Sequence, residues 1–362
     1  MKKTFKAGMV GCGGIAHGKH LPAIAKIEEI ELTAFCDIIR ERAEEAAGKY
    51  GAEGARVYTD YKEMIDNEEL DAVYVLTPNK SHSPISVYAL EHDCHVMCEK
   101  PMAKTYDDAK KMLEASKRTG KILTIGYQNR FRPDSLYLKK ACEAGELGDI
   151  YYAKAHAVRR RAVPTWGVFL NEEEQGGGPL IDIGTHALDL TLWMMDNYKP
   201  KSVKGAVFKK LGDQTETGNA WGDWDPEKYT VEDSAFGFIT MENGAVINLE
   251  SSWALNTLDV KEARCTLCGT EAGADMENNS LRINSAHLGR LATLEPELGA
   301  GGVDFYDGTA EKPNDMEARL FADAVLNGTE PVVKPEQALV VTRILEAIYE
   351  SARTGKEVVF ED

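Results

Sequence analysis

Three ionisable side chains stand out by type and placement. Asp182 and His186 lie four residues apart, just after the run Gly176-Gly177-Gly178-Pro179, and Lys100 sits in Glu99-Lys100-Pro101. A spacing of four brings both side chains of the pair to one face of a helix, and the glycines let the chain turn sharply before it. A histidine titrates near neutrality and suits removal of a hydroxyl proton. A lysine can stabilise the alkoxide that forms or pass the proton on. Asp182 would then hold a substrate hydroxyl or align His186, with Asp189 one further turn along placed to orient the imidazole from behind. That set fits oxidation of a secondary alcohol. Taken alone, the pair reads first as an exposed polar helix surface, and the lysine as a surface residue before a turn proline, so the elements that carry them must decide.

Those elements begin at the N-terminus. Residues Phe5 to Val10 read as a short buried strand, followed at once by Gly11-Cys12-Gly13-Gly14-Ile15-Ala16, a G-x-G-x-x-A turn opening a helix. A second apolar strand, Ile30 to Cys36, ends at Asp37. Gly11 allows the tight turn, Gly13 removes the Cβ that would block a pyrophosphate, and Ala16 allows close packing of helix on strand. Gly14 and Ile15 complete the loop. Asp37 stands where a carboxylate accepts hydrogen bonds from the adenosine ribose and repels a 2′-phosphate, which favours NAD over NADP. The ordinary alternative for such a loop is a plain strand-to-helix turn; the flanking strands and the acid favour a dinucleotide site.

Alternation continues with helices over Ile38 to Tyr50, Tyr61 to Asn67 and Pro84 to His92, and strands over Ala72 to Leu76 and His95 to Cys98. Ligands of doubly wound sheets lie beyond the carboxyl ends of the strands. That rule places Thr77-Pro78-Asn79, His82 and Lys100 at one crevice. Asn79 and His82 are candidates for the nicotinamide ribose, Asn79 being equally suited to cap a helix. From about Gly148 the pattern shifts to strands, Tyr151 to Val158, Ser234 to Ile239 and Ala245 to Leu249, with Glu242-Asn243-Gly244 as a hairpin turn.

At this point the residues resemble the family of glucose-fructose oxidoreductase, inositol dehydrogenase and the rhizopine-catabolism protein. The resemblance rests on the glycine loop with Asp37, Thr77-Pro78-Asn79 with His82, Glu99-Lys100-Pro101, the junction Gly126-Tyr127-Gln128-Asn129-Arg130-Phe131, and the run from Gly176 to His186. It implies an α/β protein in which an N-terminal Rossmann doubly wound parallel sheet over residues 1–127 binds NAD. A C-terminal α/β domain over 128–362, with an open and mainly antiparallel sheet, would bind substrate and mediate assembly into a homo-oligomer, a dimer or tetramer. Helices within 315–354 are expected to pack back on the first domain. The resemblance also implies catalytic roles for Lys100, Asp182 and His186, and adds Glu99 to the cofactor contacts.

Substrate contacts are expected from Tyr127 and Arg130 at the passage between domains, whose alternative is hinge packing. Arg161 and Trp166 belong to the loop Arg159 to Trp166, where guanidinium forks suit hydroxyls and an indole suits C–H faces. An interface loop is the alternative there. A second aromatic loop, Trp221 to Asp225, is placed to receive an aglycone. The expected reaction is NAD-dependent oxidation of a secondary ring hydroxyl of a sugar, glycoside or cyclitol to a ketone, with C3 of a glucosyl group as the candidate position. An NAD-retaining glycoside hydrolase acting by transient oxidation and elimination, and a non-catalytic NAD sensor, are the alternatives.

Composition narrows the partners. The 362 residues carry a formal charge of -17, from 59 acidic and 42 basic side chains, which disfavours nucleic acid and anionic membrane surfaces. No long apolar segment or secretory leader is legible, so the cytoplasm is expected. Seven cysteines scattered through such a length read as free thiols. The pair Cys265 and Cys268 lies in a strand that would point the sulfurs apart, and no catalytic metal is expected.

Overall fold

In the computed structural model, residues 3–277, 280–299 and 311–361 are described. They divide into two compact units: one from residues 3–128 and 311–339, the other from the described residues of 129–299 and 340–361.

The first unit is built on a parallel sheet of β1 (Phe5–Val10), β2 (Ile30–Cys36), β3 (Arg56–Tyr58), β4 (Ala72–Val75), β5 (His95–Cys98) and β6 (Leu123–Ile125), in the order β3-β2-β1-β4-β5-β6. Its central strands are buried on both faces, as their unbroken apolar runs require; all four residues of β4 are enclosed. The order places the carboxyl ends of β1 and β4 side by side, at the point where the winding reverses. The helix Pro313–Asn327 belongs to this unit and buries Ala318, Phe321 and Ala322 in its core, with Phe321 edge-on to Tyr74 at 5.3 Å.

The second unit carries nine strands: β7 (Ile150–Val158), β8 (Pro200–Phe208), β9 (Ser234–Met241), β10 (Val246–Ser252), β11 (Lys261–Gly269), β12 (Ala272–Glu277), β13 (Ser280–His287), β14 (Arg290–Leu294) and β15 (Val358–Val359). Their order is β14-β13-β12-β11-β7-β10-β9-β8-β15, parallel only where β10 meets β7. The β9–β10 hairpin closes through Gly244, whose φ of 87° suits glycine. On β7, Ala153, Ala155 and Ala157 all point inward and are fully buried, and their small size admits the helix Thr185–Met195 close to the sheet. That helix is buried along its length, its one carboxylate, Asp189, included.

Several element boundaries differ from the sequence reading by one to three residues. The helix after Asp37 begins at Arg40, and the helix expected from Pro84 begins at His82, two residues earlier. Among the described residues, no helix is long and apolar enough to cross a membrane, and no group of three or more His, Cys, Asp or Glu is arranged to hold a metal. Cys265 is buried and Cys268 half-exposed, on the two faces of β11.

Candidate active site

The glycine loop follows directly from β1. Gly11 has φ 93°, and a Cβ there would lie 2.5 Å from the Leu76 carbonyl oxygen, so both the backbone and the crowding demand glycine. A Cβ on Gly13 or Gly14 would meet nothing within 4 Å. Protein packing therefore does not explain those two glycines, whereas a pyrophosphate drawn to the amides of a helix start does. Ile15 is exposed and Ala16 fully buried, and the chain passes into a π-helical turn, Ala16–His20. Asp37 accepts the Cys12 amide at 2.8 Å and the Ile39 amide at 2.9 Å, which locks the end of β2 to the loop. Each carboxylate oxygen keeps a lone pair for a ribose hydroxyl. The exposed Ile38 and Ile39 flank that carboxylate. These residues fit NAD.

Past β4 and β5 two of the expected cofactor contacts are buried and hydrogen-bonded within the protein. His82, expected at the nicotinamide ribose, is fully buried. Its Nδ1 lies 2.8 Å from the Pro101 carbonyl and its Nε2 2.9 Å from that of Thr77. It thus ties the Thr77-Pro78 turn to the Lys100-Pro101 turn, and burial pushes its pKa down. Asn79 is buried in the short helical turn Asn79–Ser81. Glu99, expected as a cofactor contact, is also buried. Oε1 takes Lys19 Nζ at 2.6 Å and His20 Nε2 at 2.8 Å, while Oε2 accepts the Lys100 amide at 3.0 Å. Burial alone would raise the Glu99 carboxyl, but the Lys19 ammonium and His20 outweigh it and hold it well below the usual range. Lys19 also bonds Glu317 at 2.9 Å, and Glu317, with its other oxygen unbonded, is pushed up by burial. The half-buried Lys100 therefore leaves a strand end whose backbone is fixed from two sides.

In the second unit, Asp182 and His186 straddle a change of helix type. Asp182 lies in a π-helical turn, Leu180–Gly184, and His186 in the first turn of the helix Thr185–Met195. Such turns are rare in proteins and concentrate at functional sites. The turn is held from outside: Glu232 accepts the Gly178 amide at 2.7 Å, the Leu180 amide at 3.1 Å and the Tyr349 hydroxyl at 2.8 Å. A Cβ on Gly177 would fall 2.0 Å from the Tyr349 hydroxyl and one on Gly178 2.3 Å from the Glu232 carbonyl oxygen. The glycine run is thus explained by packing as much as by turning. Asp182 itself accepts the Trp253 indole N–H at 3.0 Å, with Trp253 wholly buried at the end of β10.

Asp189 does not orient His186. Both of its oxygens are taken by Arg130, at 3.0 Å and 2.6 Å, and that guanidinium is fully buried over Trp193. Arg130 is accordingly a structural cation and not an exposed hydroxyl contact, because an unpaired buried carboxylate would be too costly. Tyr127 is fully buried as well and offers no surface to a substrate in this conformation. Arg161 is partly exposed, bonded to Asn256 at 3.0 Å and Gln214 at 3.4 Å. Trp166 is exposed and meets Trp221 edge-to-face at 4.9 Å, while Trp224 turns inward and donates to the Gly212 carbonyl. The second aromatic loop therefore divides, one indole facing out and one anchoring the loop. Trp253, Glu232 and Tyr349 are missing from the sequence reading; the only local hint was a tryptophan closing a strand with serines before it.

A glycine loop that fits NAD on a doubly wound sheet, with a second sheet carrying an acid and a histidine on one helical turn, defines a nicotinamide-dependent oxidoreductase. Residues 5–127 match the model described as an oxidoreductase family with an NAD-binding Rossmann fold, and residues 135–275 match the GFO/IDH/MocA C-terminal domain. The chain belongs to the GFO/IDH/MocA oxidoreductase family, and NAD is its cofactor. It is 36% identical over 354 residues to D-glucoside 3-dehydrogenase of Escherichia coli strain K12, covering 98% of this chain and 97% of that protein. It is 30% identical over 203 residues to inositol 2-dehydrogenase of Salmonella typhimurium, 55% of this chain and 57% of that one. Aldose-aldose oxidoreductase from Caulobacter crescentus, solved with glycerol, superposes with a TM-score of 0.80 at 27% identity, covering 99% of this chain and 100% of the other. Levoglucosan dehydrogenase with NADH and levoglucosan shares the fold, with a TM-score of 0.84 at 21% identity over 99% of this chain and 100% of its own.

Proposed function

We propose that this chain oxidises a ring hydroxyl of a glucoside, at C3, to the ketone. The observation that carries the reading is the full-length similarity to a D-glucoside 3-dehydrogenase. When bound, NAD supplies the two-electron acceptor, so one secondary alcohol and NAD+ give one ketone, NADH and a proton. His186 takes the hydroxyl proton, as a base that needs little tuning near neutral pH. Lys100 stabilises the developing negative oxygen. Asp182, steadied by the Trp253 indole, accepts a neighbouring sugar hydroxyl and fixes the ring's orientation. Arg161 and Trp166 contribute the hydroxyl and C–H contacts of the same sugar-binding face.

The test is chemical. Product formed from methyl β-D-glucoside is reduced with borodeuteride and examined by NMR. Deuterium at C3 is the expected result, and deuterium at another carbon removes the C3 assignment. The same proposal carries a cytoplasmic homo-oligomer of two or four chains, which light scattering on purified protein checks for size and fractionation for place.

A further inference from the structure

The indole pair at the rim of the second unit has no structural job that explains its exposure. Trp166 is 51% and Trp221 44% exposed, and their rings lie 4.9 Å apart, so the two form one exposed aromatic surface and not isolated side chains. Their loops are nonetheless stitched together. Asn219 accepts the Val163 amide at 2.8 Å and donates to the Val163 carbonyl at 3.0 Å; Thr165 Oγ1 donates to the Trp221 carbonyl at 2.9 Å; and the Ala220 amide donates to the Arg161 carbonyl at 3.0 Å. The Ala162 amide in turn donates to the carbonyl of Trp253 at 2.9 Å. The corner made by the two indoles, with an interplanar angle of 75°, is thereby preformed.

The corner is also connected to the acid. From Trp253, which bonds Asp182, an aromatic series runs to Phe169 at 6.5 Å, to Trp166 at 5.9 Å and to Trp221 at 4.9 Å. We propose that Trp166 and Trp221 form an aglycone subsite, a corner that takes a flat group attached to the anomeric carbon of the sugar held at Asp182. The shared chemistry is a ring with an apolar face, either an aryl ring or the C–H face of a second sugar. The Arg159 guanidinium, 5.2 Å from the Trp221 ring centre, braces the outer indole from behind. The inference rests on the glucoside reading and names the substrate class within it.

The experiment compares kcat/KM for methyl, 4-nitrophenyl and cellobiosyl substrates of matching β-glucoside configuration, in the wild type and in Trp166→Ala and Trp221→Leu. The ratio of 4-nitrophenyl or disaccharide to methyl substrate is expected to fall about tenfold in either variant, as loss of a ring contact predicts. A fall for only one of the two names the natural aglycone type. Unchanged ratios overturn the subsite, and so does a change in oligomeric mass in both variants, which would make the corner a subunit contact. If the wild type forms NADH from none of the three, the C3 reading fails on its own. Calorimetric binding of 4-nitrophenyl against methyl glucoside then decides the subsite separately: a wild-type preference abolished by Trp166→Ala supports it, and no preference overturns it.

Discussion

Replacing Lys19 with methionine removes the one cation at the centre of a buried acidic pair. In the native protein Lys19 lies 2.6 Å from Glu99 and 2.9 Å from Glu317, with all three side chains about 6% exposed, and 3.2 Å from the Gln128 side-chain oxygen. Methionine fills the stem's volume but leaves two carboxylates enclosed without their shared cation, Glu99 keeping His20 and the Lys100 amide. Breaking a buried pair in this way costs about 3–5 kcal/mol, a large share of the roughly 5–15 kcal/mol that holds a domain together. For a unit of this size the melting temperature should fall by roughly 6–20 °C.

With the cation gone, burial raises both carboxyls, so their penalty is present when the unfolded state is ionised, above about pH 4.3. It is complete above the raised values in the folded state and shrinks as the medium is acidified from them toward about pH 4.3. Circular dichroism melts of Lys19→Met at pH 8 and pH 5 should therefore show the larger deficit at pH 8. Adding Glu99→Gln and Glu317→Gln should restore most of the loss, since the uncompensated charges are then gone. A deficit below about 1 kcal/mol, the level of a surface pair, or one that grows on acidification, would refute the reasoning.

Other consequences are as direct. Gly11→Ala places a Cβ 2.5 Å from a carbonyl oxygen at φ 93° and should lower stability by about 1–3 kcal/mol, whereas Gly13→Ala meets nothing and should leave the melt intact while weakening NAD binding, read by calorimetry. Trp253→Phe keeps an aromatic ring but deletes the bond to Asp182; a hydrogen bond to a charged group is worth about 1.5–3 kcal/mol, so kcat/KM at a temperature well below the melt should fall roughly 10- to 100-fold, while the cavity left by the smaller buried ring lowers the melting temperature. His82 has a pKa lowered by burial, so its contribution to stability is present above its ordinary value of about 6.5 and is lost as pH falls through the lowered one. Denaturant titrations of His82→Gln should show a flatter pH profile in that window than the wild type.

The candidate site residues were legible because each sits at a place that local rules mark. The glycine loop, the acid ending β2 and the strand end before Lys100 follow from alternation and turn type, and the β9–β10 hairpin from its Asn-Gly turn. What supports those residues was not legible, because the partners are far apart in sequence. Trp253 reaches Asp182 across 71 residues, Arg130 reaches Asp189 across 59, and Lys19 reaches Glu99 across 80. For the same reason Glu99 and Arg130 read as ligand contacts: a charged residue in a motif looks available until the fold supplies its counter-ion. Nor does a spacing of four distinguish the π-helical turn at Asp182 from an α-helix, since both return that residue to the same face.

The most direct test of the account is NADH formation, followed in the near ultraviolet, by wild type and Lys100→Ala with NAD and a set of glucosides, free sugars and inositols. The account predicts NADH from glucosides in equimolar amount with the ketone formed, and its loss in the variant while NAD binding persists. Aglycone release without NADH, or full activity in Lys100→Ala, would contradict it.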